Sequence, residues 1–332
     1  MWKDEYVKLA FPIKASDLKI EEAQLYKYKN MPSSFFRYRA FNDNNIENLI
    51  NEVEWQSYPS EFNDPYDARL TISIDTFKSE QFKRNFETYL TSFSKLSITF
   101  TQEEKMEILS NVNPSLKFFE IGLAHHPDIQ NQPYTAKELA SIIDKSIESE
   151  YERMIDKLRT SANTGNLIIC FSEVNNNILL WSHYAENHTG FCIEYDFKLL
   201  GPKHVRCRML EPVIYVDDLF DATIYYLETL ADIKNHNNLF GIYPTISKSK
   251  QWQYEQEWRL IFPWGPGISL KDKERRSLSM PTPKKLYIGA RASEENKEKI
   301  IQIAKQIHTP VYQKILDPSK FNLEEKVLYN PL

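Results

Sequence analysis

Glycine is scarce in this chain of 332 residues, which has only 8 of them. That excludes collagen-like and linker-like sequences and a glycine-rich phosphate cradle. Cysteine is rarer still. Cys170, Cys192 and Cys207 form an odd, sparse set that predicts no structural disulfide and fits a reducing cytosol, so a cytoplasmic location is expected. No apolar run approaches the roughly 20 residues of a membrane span. The opening Met1-Trp2-Lys3-Asp4-Glu5 has no apolar stretch of signal-peptide type, so no membrane partner is expected. Charge of one sign is also missing: 41 Lys and Arg stand against 46 Asp and Glu, a formal net charge of −5. The broad basic footprint of a dedicated nucleic-acid binder is therefore absent, although a local patch remains compatible with this balance. Gly-x-Ser-x-Gly and His-Glu-x-x-His motifs do not occur.

What is present describes a soluble globular protein rich in aromatics, with 19 Tyr, 19 Phe and 26% charged residues. The length corresponds to one large domain or two ordinary ones and supplies a core without disulfide or metal staples. The first thirty residues read as a peripheral helix, with Leu18, Ile20, Ala23, Leu25 and Tyr26 among lysines and glutamates, ended by Pro32. Residues 35–41 are aromatic and alternating, which predicts a strand. Asn42 or Asp43 then caps a short helix, and residues 53–58 read as a second strand. The turn Pro59-Ser60-Glu61-Phe62-Asn63-Asp64-Pro65-Tyr66-Asp67 breaks all periodicity. Residues 76–163 read as a helical insertion, with capping-box patterns at Thr101–Glu104 and Thr135–Glu138 and a stop at Gly165. Residues 164–332 hold the main part of the sheet core, with strands expected at 167–172, 190–197, 212–216, 254–263, 285–289 and 311–316. A short helix is expected at 177–186 and one capped by Ser293 follows the fifth of these strands. The expectation is a single α+β domain over residues 1–332, its sheet split in sequence by the helical insertion.

Three constellations carry chemistry. On a strand over 254–263, alternation places Tyr254, Trp258, Leu260 and Phe262 on one face and Glu255, Glu257 and Arg259 on the other. The two carboxylates then lie roughly 7 Å apart, close enough to serve one site in different roles. The plain alternative is a solvated face with Arg259 neutralising the pair. Arg37 and Arg39 flank Tyr38 on one face of the early strand and offer forks of donors to phosphate, or else form a surface pair. Cys170-Phe171-Ser172 ends a buried strand, and Trp181-Ser182-His183-Tyr184 follows; strand ends beside loops are where open sheets bind ligands, and the plain alternative is a core strand with Trp181 and Tyr184 packing its helix. Zinc at Cys170, His183, His188 and Cys192 is disfavoured, because the close cysteine pair of structural sites is missing and histidines five apart share no helix face. A Cys–His nucleophile is disfavoured because apolar strands raise a thiol's pKa.

Phe36-Arg37-Tyr38-Arg39, the turn over 59–67, Cys170-Phe171-Ser172, Trp181-Ser182-His183-Tyr184-Ala185 with Gly190, and Tyr254-Glu255-Gln256-Glu257-Trp258-Arg259 occur in that order. Together, over roughly residues 25–316, they resemble a widespread bacterial domain-of-unknown-function family, number 2971. More distantly, Tyr38-Arg39, Phe171-Ser172 and Glu255-Gln256-Glu257 resemble the Arg–Ser–Glu core of ADP-ribosyltransferases. A single serine followed by Glu173 stands where those enzymes usually have Ser-Thr-Ser, and the helical insertion is long. The resemblance implies a split mixed or antiparallel sheet of the ADP-ribosyltransferase fold. It implies NAD as substrate, with ADP-ribose passed to a protein or nucleic acid, or to water. In that reading Glu257 stabilises the ribosyl cation, Ser172 steadies it, and Glu255 orients or deprotonates the acceptor. Arg39, with Arg37 and Tyr38, holds the dinucleotide, Trp181 or Tyr184 stacks on nicotinamide, and Asn63 and Asp64 either close their own turn or, with Asp67 as a further candidate, line the pocket. A toxin or phage-defence effector with a regulatory partner suits such chemistry. The alternatives are a non-catalytic nucleotide-binding or regulatory module, and a metal-dependent nuclease or nucleotide hydrolase using Asp64, Asp67, Glu255 and Glu257.

Overall fold

The computed structural model describes residues 2–125, 134–263 and 276–331. The protein is α+β. Among the described residues, eight strands form one mixed sheet: β1 (Phe35–Arg39), β2 (Asn166–Ser172), β3 (Phe191–Tyr195), β4 (Leu210–Pro212), β5 (Glu257–Pro263), β6 (Lys285–Ile288), β7 (Val311–Leu316) and β8 (Leu323–Tyr329). Their spatial order is β8-β7-β6-β3-β1-β2-β5-β4. Only β6 and β7 run parallel; the helix Glu294–Gln306 connects them, as a parallel pair requires. The early strand β1 sits in the middle of strands that come more than a hundred residues later, so the sheet cannot close until the chain returns from its helical region.

Two compact units divide the chain: Met1–Arg69, Thr160–Phe220 and Ala231–Leu332 make the first, and Leu70–Arg159 with Asp221–Leu230 the second. The second is mostly helical. Its helices Ile74–Arg84, Phe86–Ser94, Gln102–Ser110 and Pro114–Ala124 surround Phe82, Phe86 and Phe118, and the capping box expected at Thr101 is present. Residues 126–133 lie outside the described residues. No described helix is long and apolar enough to cross a membrane.

In the first unit one sheet face packs Phe35, Phe171, Phe191, Ile193, Trp258 and Leu260 into the main core. Five apolar or aromatic positions spaced by two along β2 and β5 supply that face, the period of a strand. The first thirty residues differ from the single peripheral helix expected. They form two helices, Trp2–Ala10 and Ile20–Asn30, because Pro12 has no N–H to continue the first. They are not peripheral: Tyr6, Ala10, Ala23 and Lys27 are buried, and Trp2 stacks on Trp258 with ring centroids 5.8 Å apart. Lys27 Nζ donates to Glu211 at 2.9 Å and Tyr6 hydrogen-bonds the same carboxylate, which ties both helices to β4.

The strand expected over 254–263 begins only at Glu257. Residues Lys250–Glu255 form a 3-10 turn, and Gln256 takes a left-handed conformation with φ 46°. Trp258, Leu260 and Phe262 do share the apolar face, and Glu257 and Arg259 the other, but Tyr254 and Glu255 precede the alternation. The strand β8 had no counterpart in the sequence reading; its charged Glu324-Glu325-Lys326 run hides the alternation of a sheet-edge strand.

Gly190, just before β3, is required by close approach. A Cβ there would overlap the Arg39 carbonyl oxygen and crowd the Ala185 carbonyl. Gly190→Ala is expected to cost about 1–3 kcal/mol, the usual penalty of overpacking, read as a lower midpoint in urea unfolding. An unchanged midpoint would show that the β1–β3 junction gives way freely.

Candidate active site

Strands β1 and β2 are paired only at Phe36 and Ser172. Beyond that point β2 takes a different neighbour: Ile168 exchanges both backbone hydrogen bonds with Ser57. The parting of the two central strands leaves a cavity of about 510 Å³, within the ~300–1,000 Å³ typical of small-molecule sites. Ladder partners share a face, so Ser172 and Glu257 lie on the Phe36 side of the sheet and Arg37 and Arg39 on the Phe35 side. All four nevertheless line the same cavity, because it opens through the gap between the strands. Arg37 reaches across that gap and donates to the Cys170 carbonyl at 2.6 Å, an acceptor left free where the ladder stops.

One wall is a buried ionic network. Arg259, fully buried, donates through both terminal nitrogens to Asp67 at 2.6 and 2.7 Å, and through Nε to Glu257 at 2.8 Å. Lys248 Nζ lies 2.9 Å from Glu257 Oε2 and 2.5 Å from Glu255 Oε2. Tyr184 donates to the other Glu255 oxygen at 2.7 Å. The two carboxyls respond differently. Burial works to raise Glu257, but the charges of Arg259 and Lys248 outweigh it and hold this carboxyl well below the usual carboxylate range. Burial and the neighbouring charge of Glu257 push Glu255 upward, against the pull of Lys248. Burial also raises the Cys170 thiol, helped by Glu257, so this cysteine is an inert part of the wall.

The facing wall is cationic. Glu54, 1% exposed, is ion-paired with Arg39, lies 3.6 Å from Arg37 Nε and accepts from Tyr195 at 3.2 Å. Two guanidinium groups share that one carboxylate. The Arg37 Nε is buried and has no hydrogen-bond acceptor among the described residues.

The cavity brings together Glu255, Glu257, Ser172, Arg37, Arg39, Tyr38, Tyr184 and Asn63 from the residues singled out in sequence. Their contacts correct several of the expected roles. Ser172 Oγ donates to the backbone carbonyl of Glu255 at 2.6 Å and accepts from Val174 N–H, so it steadies Glu255 and not the Glu257 carboxylate. Trp181 is fully buried, donates its indole N–H to the Asn175 carbonyl and meets Tyr38 edge to face at 5.3 Å. It is core, unavailable for stacking on a ligand, because its apolar helix face packs against β1. Of the two readings of Asp64 the turn-closing one holds: it accepts the Tyr66 N–H at 2.8 Å and does not line this cavity, whereas Asp67 does. The sequence reading missed Lys248 and Glu54. Lys248 sits on a three-residue strand, Ser247–Ser249, which pairs in parallel with Ile214–Val216. So short a polar strand has no periodicity to detect.

The donor set fits a metal poorly. Asp67 and Glu257 are already forked to Arg259, the two Glu255 oxygens accept from Lys248 and Tyr184, and Asp64 accepts within its own turn. The three cysteines are free thiols.

The family model described as "Protein of unknown function (DUF2971)" matches residues 180–260. That span is where the chain is similar to the family, and it contains Tyr184, Lys248, Glu255, Glu257 and Arg259. No curated protein and no solved structure matches the chain.

Proposed function

We propose that this cavity binds NAD and breaks its bond between nicotinamide and ribose, passing ADP-ribose to water or to a macromolecular acceptor. The observation that carries this reading is the opposition of charge across one cavity. Arg37 and Arg39 against Glu54 leave one positive charge on one wall. Asp67, Glu255 and Glu257 against Lys248 and Arg259 leave one negative charge on the other when all are ionised. NAD carries the matching pattern, a doubly negative pyrophosphate and a cationic nicotinamide ring. The parted central strands and the order Arg39, Ser172, Glu257 support a likeness to the ADP-ribosyltransferase fold.

The chemistry follows from the two carboxyls. Cleavage of the C1′–N bond sends its electron pair to nicotinamide, which leaves neutral, while positive charge grows on the ribose ring. Glu257, whose ionised form the Arg259 and Lys248 charges favour, stabilises that charge. Glu255, raised toward neutrality, takes the proton of the attacking water or acceptor as the new C1′–O or C1′–N bond forms. Divergent environments for two nearby carboxyls are how such roles are assigned.

The test is nicotinamide release by the purified protein, with water alone and with protein and nucleic-acid acceptors, beside calorimetric titration with NAD. Arg39→Ala should weaken NAD binding about tenfold or more by removing a charged fork from the phosphates. Binding unaffected in that variant would place the dinucleotide elsewhere. NAD bound but never cleaved would make the cavity a nucleotide-binding module, a result that the internal pairing of Glu257 and Arg259 would explain.

A further inference from the structure

We infer that Lys248 is the positioning residue of this site: one ammonium shared between two carboxylates fixes Glu257 as the permanent charge and Glu255 as the carboxyl that exchanges a proton. This rests on the reading of the two glutamates given above, but its geometry stands independently. Lys248 is about 5% exposed. The ladder that holds it, Tyr215 opposite Lys248, also holds Glu257, because the Tyr215 hydroxyl accepts the Glu257 N–H at 2.8 Å. Ammonium and carboxylate are thus set by the same pair of short strands. The ammonium also lies 5.0 Å from the Trp252 ring, which steadies a cation without neutralising it.

Lys248 is common to both carboxyls, and the second partner of each is what separates them. Glu257 receives a second cation, Arg259, from its own strand, two residues on. Glu255 lies before the strand begins, beyond Gln256, and receives no guanidinium; its second partner is the neutral Tyr184 hydroxyl. Its other titratable neighbours are Glu257, which opposes its ionisation, and Tyr254 beside it. Tyr215, on the strand Ile214–Val216, also feels the Glu255 charge, and His183 from the helix Ile178–Tyr184, Cys170 from β2, and Glu61 and Asp67 from the turn over 59–67 are further titratable groups lining the cavity. Lys248 is therefore the one cation in contact with Glu255 among the described residues.

Removing the ammonium raises Glu255 further and lets the two glutamates compete for one proton. In Lys248→Met, the Glu255 midpoint, followed through its side-chain carboxyl carbon by NMR in the ligand-free protein, should move up by about one pH unit or more. If Glu255 is the base, the acid limb of nicotinamide release moves up with it, roughly tenfold less activity at a fixed pH on that limb. Lys248→Arg keeps the charge and should hold the midpoint near that of the wild type. A merely structural lysine would cost stability in both variants and move neither curve. Should Lys248→Met fail to fold, the wild type decides: the Lys248 side-chain resonances should step at the Glu255 midpoint. A flat trace, or an unmoved midpoint in the methionine variant, overturns the assignment. The titration reads Lys248 whether or not NAD is turned over. A shifted midpoint in a protein that releases no nicotinamide keeps this inference and removes the reading that NAD is cleaved here.

Discussion

Glu257→Gln is expected to reduce NAD turnover by about a hundredfold or more while leaving NAD binding close to wild type. The substitution keeps the size and one acceptor oxygen of the side chain but takes away the charge that faces the ribose. Folding should survive, because each cation of the network keeps another carboxylate: Arg259 retains the Asp67 fork and Lys248 retains Glu255. The variant also predicts a difference in acid. Glu257 has a folded pKa below its unfolded value, so its contribution to stability is full above about pH 4.3 and drains away as pH falls toward the folded value. The glutamine variant should therefore lose less stability than the wild type between neutral pH and pH 3. Glu255→Gln should differ in kind. It removes the proton acceptor, so transfer to a macromolecule should fall more than hydrolysis, since water needs less orientation. The assays are nicotinamide release, labelled ADP-ribose on acceptors, and urea unfolding across pH. Full turnover in Glu257→Gln would take this residue out of the chemistry.

Much of the site could be read from residues whose spacing is enforced by a strand. Trp258, Leu260 and Phe262 had to share a face, and so Glu257 and Arg259 had to share the other. The arginines of β1 were legible for the same reason. What stayed hidden depended on contacts between distant segments. Glu255 joins the site through a left-handed Gln256 and a hydrogen bond from Ser172, neither of which any periodicity announces. Lys248 and Glu54 arrive on three-residue strands whose partners lie more than thirty and two hundred residues away in the sequence. Trp181 stayed open between stacking and core because an aromatic side chain beside a site looks the same in sequence whether it faces a ligand or the core. Only the Asn175 carbonyl that takes its N–H decides which. The N-terminal helices looked peripheral because their buried contacts include a lysine, and a buried Lys27 is tolerable only where Glu211 and the Arg208 carbonyl receive it.

Asp67→Ala should be the most destabilising single substitution at the cavity, by about 3–5 kcal/mol. Arg259 has no exposure to water, and Asp67 takes both of its terminal nitrogens. Truncating the aspartate leaves a buried guanidinium with Glu257 and the Thr245 carbonyl as its remaining partners. Neither replaces a bidentate carboxylate, and water reaches the charge only if the segment over residues 59–67 lifts from the sheet. That segment is otherwise held near Arg259 by the Phe62 ring, 5.3 Å from the guanidinium carbon. Replacing both partners tests the cause. Asp67→Leu combined with Arg259→Met removes the stranded charge along with its partner, so the double variant should be more stable than Asp67→Ala even though more of the network is gone. It should also be inactive toward NAD, because Glu257 loses the cation on its own strand. Urea midpoints of the two proteins decide the matter. A double variant less stable than Asp67→Ala would mean that the pair contributes through packing rather than by neutralising a charge that cannot reach water.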